Sequence, residues 1–402
     1  MFTDKQLENY TRVMIWALEK ARGKRYKKGE VIRLAFDLSA MELSEAIHKH
    51  LVKEGRHVIV KPIMNETMEY DLYKFANNKQ LKYVGPWEDK FFNSLNGSIY
   101  LSAPASLIHL KDIDPKKMGK AAVARKHLKN ILEEREQKKL FGWTLCMYPT
   151  EALAEKAGID IYEYARQIEK ACYLNEDDAV AKWSEVMANA QKARKWLDSI
   201  LKDTKYLHVE SDNMDIKIVP GEKRQWVGPS GHNIPGFEIF LSPDCRYTEG
   251  VYYANLPSYR SGNFVEKIRI VFKNGKATDI SAESGEEFTR KMAAMDDGAC
   301  KVGEFSLTDK RFSPIDTFMA DILYDENFGG DYGNCHLALG NSYSQTYDGN
   351  QSSLTKELKK ELGFNSSALH WDLINTEDKV VTAHFKNGDS KIIYEKGMFS
   401  YI

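Results

Sequence analysis

The sequence predicts two fold classes in one chain: an α/β N-terminal domain with a mostly parallel sheet, followed by an α+β domain rich in antiparallel strands. Three observations carry this. The first 150 or so residues alternate helical patterns with short apolar runs, which is the rhythm of βαβ units. After Tyr206 the texture changes to short alternating segments separated by turns. Beyond that point Asn274-Gly275 and Asn387-Gly388 each sit between alternating segments as hairpin turns. The boundary is placed between 204 and 205, giving an α/β domain with a helical connector over 1–204 and an α+β domain over 205–402.

In order along the chain, Leu7, Tyr10, Met14 and Leu18 recur at helical spacing, so the chain opens on an amphipathic helix. Val31–Phe36 and His57–Val60 read as strands flanking a helix around Met41–Glu54. Ser98–Ser102 and Trp143–Met147 continue the series, separated by a long charged helix over 115–138. The stretch 150–203 is helix-rich, with Trp183 and Trp196 as expected core anchors. Leu207–Glu210, Asp215–Val219 and Lys267–Phe272 are strand-like, and helices are expected near 284–296, 313–325 and 354–362.

Composition excludes several functions. With 57 Lys+Arg against 58 Asp+Glu the formal net charge is -1, which disfavours nucleic acid as the main partner because such binding needs a concentrated basic surface. No run of about 18 apolar residues exists, so no membrane helix is expected. Asp4 and Glu8 precede the first apolar stretch and no cleavage-site pattern follows, so the N-terminus does not read as a secretory signal and a cytoplasmic location is expected. Five scattered cysteines form no CxxC pair, against a disulfide framework or a thiolate zinc site. The loop Asp37-Leu38-Ser39-Ala40-Met41 after the first strand lacks glycine, so it cannot bring its backbone close to a dinucleotide pyrophosphate. Charge is uneven by halves, +6 over 1–200 and -7 over 201–402.

That acidity draws attention to particular side chains. His370 and Asp372 are two apart in a strand-forming segment, so both face one way and can reach one ion. His336 follows the acidic Asp325-Glu326-Asn327 by a loop with glycines at 329, 330 and 333, which lets Glu326 and His336 approach. Glu238, after a Pro-Gly turn, and Glu304, after Gly303, lie between apolar residues; either alone reads as the solvated side of a half-buried strand. Together the four carboxylates and two imidazoles would repel, since like charges 4 Å apart cost roughly 4 kcal/mol at an effective dielectric near 20. Two divalent cations would offset that.

These segments resemble a known family, the metallo-aminopeptidases typified by thermophilic aminopeptidase T, AmpS and PepS. The matching pieces are Asn233-Ile234-Pro235 with Glu238, Val302-Gly303-Glu304, Asp325-Glu326-Asn327, His336 to Gly340 with Tyr343, and His370 with Asp372. Tyr10-Thr11, Lys28-Gly29-Glu30-Val31 and Lys53-Glu54-Gly55 extend the similarity into the first half. The resemblance implies that 205–402 is the catalytic, metal-binding domain. It implies metal ligands at Glu238, Glu304, Glu326, His336, His370 and Asp372, two divalent ions (zinc, cobalt, manganese or magnesium), and Tyr343 as a catalytic residue. Glu304 is the expected bridging carboxylate. The segment Phe328–Asn334 is longer than the commoner family form, so the reach of Glu326 depends on how that loop closes. The expected function is hydrolysis of N-terminal residues from peptides with a free N-terminus by a homodimer. The competing readings are a metal-stabilised binding or assembly protein of the same fold, and a hydrolase of another amide or ester.

Overall fold

The computed structural model describes residues 1–401, apart from the side chain of Pro115. The chain forms two compact units, one of Met1–Glu185 with Ser230–Gly236, the other of Val186–Pro229 with the residues from Phe237 onward. The division therefore falls inside the helix Ala179–Leu201 rather than at the 204/205 boundary read from the sequence. Helical periodicity runs straight through that helix and marks no boundary.

The first unit is built on five parallel strands. Their order is His57–Pro62, Val31–Phe36, Gly97–Ser102, Gly142–Met147 and Asn233–Ile234. The last strand has two residues and returns from far along the chain, so no local pattern announces it. The opening helix Asp4–Arg22 begins with a capping box between Thr3 and Gln6 and stops at Gly23, whose φ of 76° a side chain would resist. Tyr10, Val13, Met14 and Ala17 are fully buried, so the predicted stripe is the packed face. The charged segment 115–138 is two helices, Pro115–Ala124 and Lys126–Gln137, with a break at Arg125. Trp183 is buried as expected, whereas Trp196 is half-buried under Lys391 and Tyr401.

The second unit is antiparallel. Eight strands form one sheet, and both Asn-Gly turns lie in it: Ile268–Lys273 pairs with Lys276–Ser281, and Val380–Phe385 with Ser390–Glu395. A second sheet has four strands in the order His370–Asn375, Asn334–Gly340, Val302–Thr308 and Ile239–Leu241. The two middle strands are buried at every position, as a sheet covered on both faces requires. Helices expected near 284–296 and 354–362 are Glu286–Ala293 and Lys356–Glu361. Over 313–325 only Ile322–Asp325 is helical. Pro314 and the Asp325 carboxylate, which accepts from the backbone N–H groups of Met319 and Asp321, hold the preceding residues in a loop.

Candidate metal centre

Strand register brings residues singled out in the sequence onto one face of the four-stranded sheet. Glu304 lies beside Ala338, and Ala338 beside Asp372; Ser306 lies beside His336, and Gly340 beside His370. Because strand side chains alternate, Glu304, Ser306, His336, His370 and Asp372 share that face with the small residues Ala338 and Gly340. Gly303 is an extra residue in its strand, and a Cβ there would collide with the Asn341 carbonyl oxygen. The bulge re-aims the strand immediately before Glu304, and only glycine fits it. Gly340, at φ +106°, would drive a Cβ into the Leu369 carbonyl oxygen.

The side chains converge. His336 Nε2 is 3.1 Å from Glu304 Oε1, 3.3 Å from Glu238 Oε2 and 3.8 Å from Asp372 Oδ1. His370 Nε2 is 3.3 Å from Asp372 Oδ1 and 3.9 Å from Glu304 Oε2. The two oxygens of Glu304 thus face different imidazoles. Glu238, Glu304 and His336 offer ligand atoms all within 4.8 Å of one another. Glu326 stands at the end of the short helix Ile322–Asp325, 6% exposed, within the electrostatic reach of Glu238, Asp372, His336 and Glu304. The long loop after it closes on itself: Asn334 Nδ2 donates to the carbonyls of Glu326 and Phe328, and Gly329 and Gly330 both donate to Ile315 O. Asp325 does not join the cluster, since both its oxygens are used in the turn described above.

Electrostatics show how strongly the set is coupled. Burial, then the Glu238 charge, raises Glu304 to about 7 against the opposing pull of His336. Burial acts to lower His370, but the Asp372 and Glu304 carboxylates outweigh it and raise the imidazole to about 9. Asp372 is opposed by burial yet held below the carboxylate range by His370 and His336. Burial and the surrounding carboxylates push Glu326 well up. A buried group of this composition needs positive charge, and Glu304 Oε2 has no hydrogen-bond partner. The oxygen and imidazole donors, with no thiolate among them, fit hard or borderline divalent cations.

Tyr343 follows the strand Asn334–Gly340. Its N–H donates to Ser242 Oγ at 2.9 Å, and its ring stands edge-on to His370 with centroids 4.7 Å apart. Desolvation and the Glu304 and Asp372 charges raise its pKa well above 10. Since 37% of the residue remains accessible, the carboxylate field is the firmer cause.

Three supporting residues escaped the sequence reading. Ser306 Oγ donates to Glu238 Oε2 at 3.0 Å. Its spacing of two from Glu304 on a strand was the available signal. Asn327 Oδ1 accepts from the N–H groups of Phe237 and Glu238 at 2.5 and 3.1 Å, while its Nδ2 donates to Leu323 O and faces Glu326 Oε1 at 3.4 Å. The Asn341 carbonyl oxygen accepts from His370 Nδ1 at 2.9 Å, which turns Nε2 toward the carboxylates. Asn327 lies in the matching Asp325-Glu326-Asn327 segment, where no role was read for it, and no sequence pattern marks Asn341.

A parallel-sheet unit joined to an antiparallel unit that gathers buried carboxylates and imidazoles defines a metal-dependent hydrolase. The chain belongs to the Peptidase M29 family of thermophilic metalloproteases, whose model matches residues 3–399. It is similar to aminopeptidase AmpS of Bacillus subtilis, at 25% identity over 94% of this chain and 96% of that protein. Aminopeptidase 2 of Geobacillus stearothermophilus is 25% identical over 99% and 98% of the two chains. Aminopeptidase T of Thermus thermophilus is 26% identical over 72% of each. The solved structure of wild-type AmpT from Thermus thermophilus has the same fold, with a TM-score of 0.78 and 22% identity over 98% of this chain and 99% of that one.

Proposed function

We propose that the chain is a two-metal aminopeptidase acting on peptides with a free N-terminus. The observation that carries the reading is the convergence of Glu238, Glu304, His336, His370 and Asp372 on one sheet face, with Glu304 presenting one oxygen to each imidazole. The family is one of metalloproteases, and the similar proteins above are named aminopeptidases. Glu304 is the proposed bridging ligand; Glu238 and His336 share one end of the cluster, His370 and Asp372 the other, and Glu326 completes the set.

When bound, divalent ions at such ligands polarise a peptide carbonyl and lower the pKa of water. The chain's own residues supply the rest. Tyr343 Oη keeps its proton and donates a hydrogen bond to the carbonyl oxygen as that oxygen gains charge. The ring contact with His370 fixes where the hydroxyl stands. The carboxylates left incompletely neutralised attract the substrate's terminal ammonium, which favours a free N-terminus over an acylated one.

The proposal includes zinc, cobalt, manganese or magnesium as the ion, a cytoplasmic location and a homodimer. The cysteines, all free, accord with a reducing compartment, and among the described residues no helix is long and apolar enough to cross a membrane. Metal analysis with turnover of free-amine and N-acetylated peptides is the test. Stoichiometry near two and loss of activity on chelation are expected. Full activity in chelated protein, or His370→Ala retaining both metal and turnover, refutes the assignment.

A further inference from the structure

Beside the ligand set, the same sheet face carries an apolar flank that the metal centre does not use. Phe240, in the edge strand Ile239–Leu241, lies directly opposite Ser306, and Ser306 opposite His336, so the Phe240 side chain leaves the sheet on the side of the ligands. Beyond that strand, Val227 exchanges two backbone hydrogen bonds with Phe240, each 2.8 Å, and so faces the same way. The other face keeps the same alternation: Trp226, one residue before Val227, meets Phe305, one residue after Glu304, with ring centroids 6.5 Å apart. All of these residues belong to the second unit.

Accessibility separates the flank from the rest of its row. Ser306, His336 and Ile374 are buried, whereas Phe240 and Val227 remain half-buried. The Phe240 ring stands at 62° to that of Tyr343 with centroids 5.7 Å apart, and Tyr343 in turn stands edge-on to His370. Phe240 is also two residues from Glu238, whose carboxylate accepts from Ser306 and faces His336. A partly accessible phenyl ring is thus held between Tyr343, the group assigned to the substrate carbonyl, and a carboxylate at one end of the ligand set. Apolar surface beside a few fixed polar groups is the usual composition of a small-ligand pocket.

We propose that Phe240 and Val227 form the wall that receives the side chain of the substrate's N-terminal residue, so that this site prefers a large apolar residue there. The inference rests on the aminopeptidase reading. In that reading the terminal ammonium is drawn to the carboxylates and the carbonyl oxygen to Tyr343. The α-carbon that joins those two groups therefore lies beside Phe240, and its side chain meets the flank.

The test uses the metal-loaded enzyme on Leu-Ala amide, Ala-Ala amide and Ala-Leu amide. The parent protein is expected to show kcat/KM at least about tenfold higher for Leu-Ala amide than for Ala-Ala amide, since even one methylene fitted into an apolar pocket is worth about that factor. Ala-Leu amide, whose leucine follows the cleaved bond, is expected to gain no such advantage. In Phe240→Ala the ratio of the first two substrates falls to near one, and Phe240→Leu restores some of it. Val227→Phe, which fills the same space, also lowers the ratio. Equal kcat/KM for Leu-Ala and Ala-Ala amides in the parent, a preference carried by Ala-Leu amide instead, or a ratio kept in Phe240→Ala overturns the proposal. So does an equal loss on both substrates, which would make Phe240 a support for Tyr343 alone. Should Phe240→Ala fold poorly, Val227→Phe decides the matter, and an unchanged ratio there overturns the proposal. A parent that hydrolyses none of the three refutes the peptidase reading itself, which is distinct from turnover without preference.

Discussion

A single methyl group keeps the sheet face open at Ala338. This residue is fully buried between Glu304 and Asp372 in the register of three strands. Directly opposed strand residues stand about 4.5–5.5 Å apart, so a larger side chain there occupies the space into which the carboxylates project. Overpacking costs typically about 1–3 kcal/mol, which the fold survives. Ala338→Leu is therefore expected to fold but bind metal ~10–100-fold more weakly, as measured by titration of the metal-free protein. Tyr343 has the opposite profile, since its hydroxyl acts on substrate and not on the ligand set. Tyr343→Phe is expected to lower kcat by about 10²–10³-fold at full metal occupancy. A parallel fall in metal content would place the tyrosine in the ligand shell instead. The proposed ligands were legible only as a set and through the family resemblance, because an HxD spacing or a carboxylate after a glycine taken alone reads as ordinary strand. Ser306 and the Asn341 carbonyl were not legible, because a neutral group acquires meaning only from what lies across a strand or loop.

At the scale of elements, two clamps matter. Asn327 ties the strand start at Phe237–Glu238 to the short helix bearing Glu326, and it is fully buried. Removing its amide leaves buried N–H groups without acceptors, each costing about 1–3 kcal/mol. Asn327→Ala is expected to lower the urea midpoint with an unchanged slope, and an unaltered midpoint would show the clamp to be redundant. The second clamp joins the end of the first helix to the start of the first strand. Arg22 grips Glu30 through both terminal nitrogens at 2.8 and 2.6 Å, and Lys27 N adds a third hydrogen bond at 2.7 Å. The Arg22 hydrogen bonds, opposed by partial burial, hold Glu30 below the ordinary carboxylate range. Its contribution to stability is full above the unfolded-state pKa and is lost as pH falls through the lower folded-state value. Glu30→Gln should thus be less stable than the parent near neutrality, and the gap should close in acid. A gap that widened in acid would contradict the pairing. Sequence periodicity located the host elements of the second clamp, a regular helix and a regular strand. It failed over 313–325, where side-chain to backbone hydrogen bonds from Asp325 compete with helix formation.

For the whole molecule, the change from parallel to antiparallel architecture was legible in the sequence, because the two Asn-Gly hairpins and the βαβ rhythm are local signals. The boundary was not, because the division lies inside an unbroken helix and because Ser230–Gly236 returns to the first unit by a strand pairing with Gly142–Met147. The consequence is functional: every proposed metal ligand, from Glu238 to Asp372, lies in the second unit. Residues 201–402, most of which lie in that unit, carry the -7, and two divalent ions would reduce it to about -3. Ions that bind only the folded ligand set stabilise it by mass action, about 2.7 kcal/mol at a free concentration 100 times Kd. For a unit of this size that is a rise of roughly 5–10 °C in melting temperature. Calorimetry of chelated and metal-loaded protein should show such a shift, growing with the logarithm of free metal. His370→Ala should respond less than the parent at each concentration. Equal melting with and without metal, or an equal response in His370→Ala, would mean that the cation binds somewhere other than this sheet face.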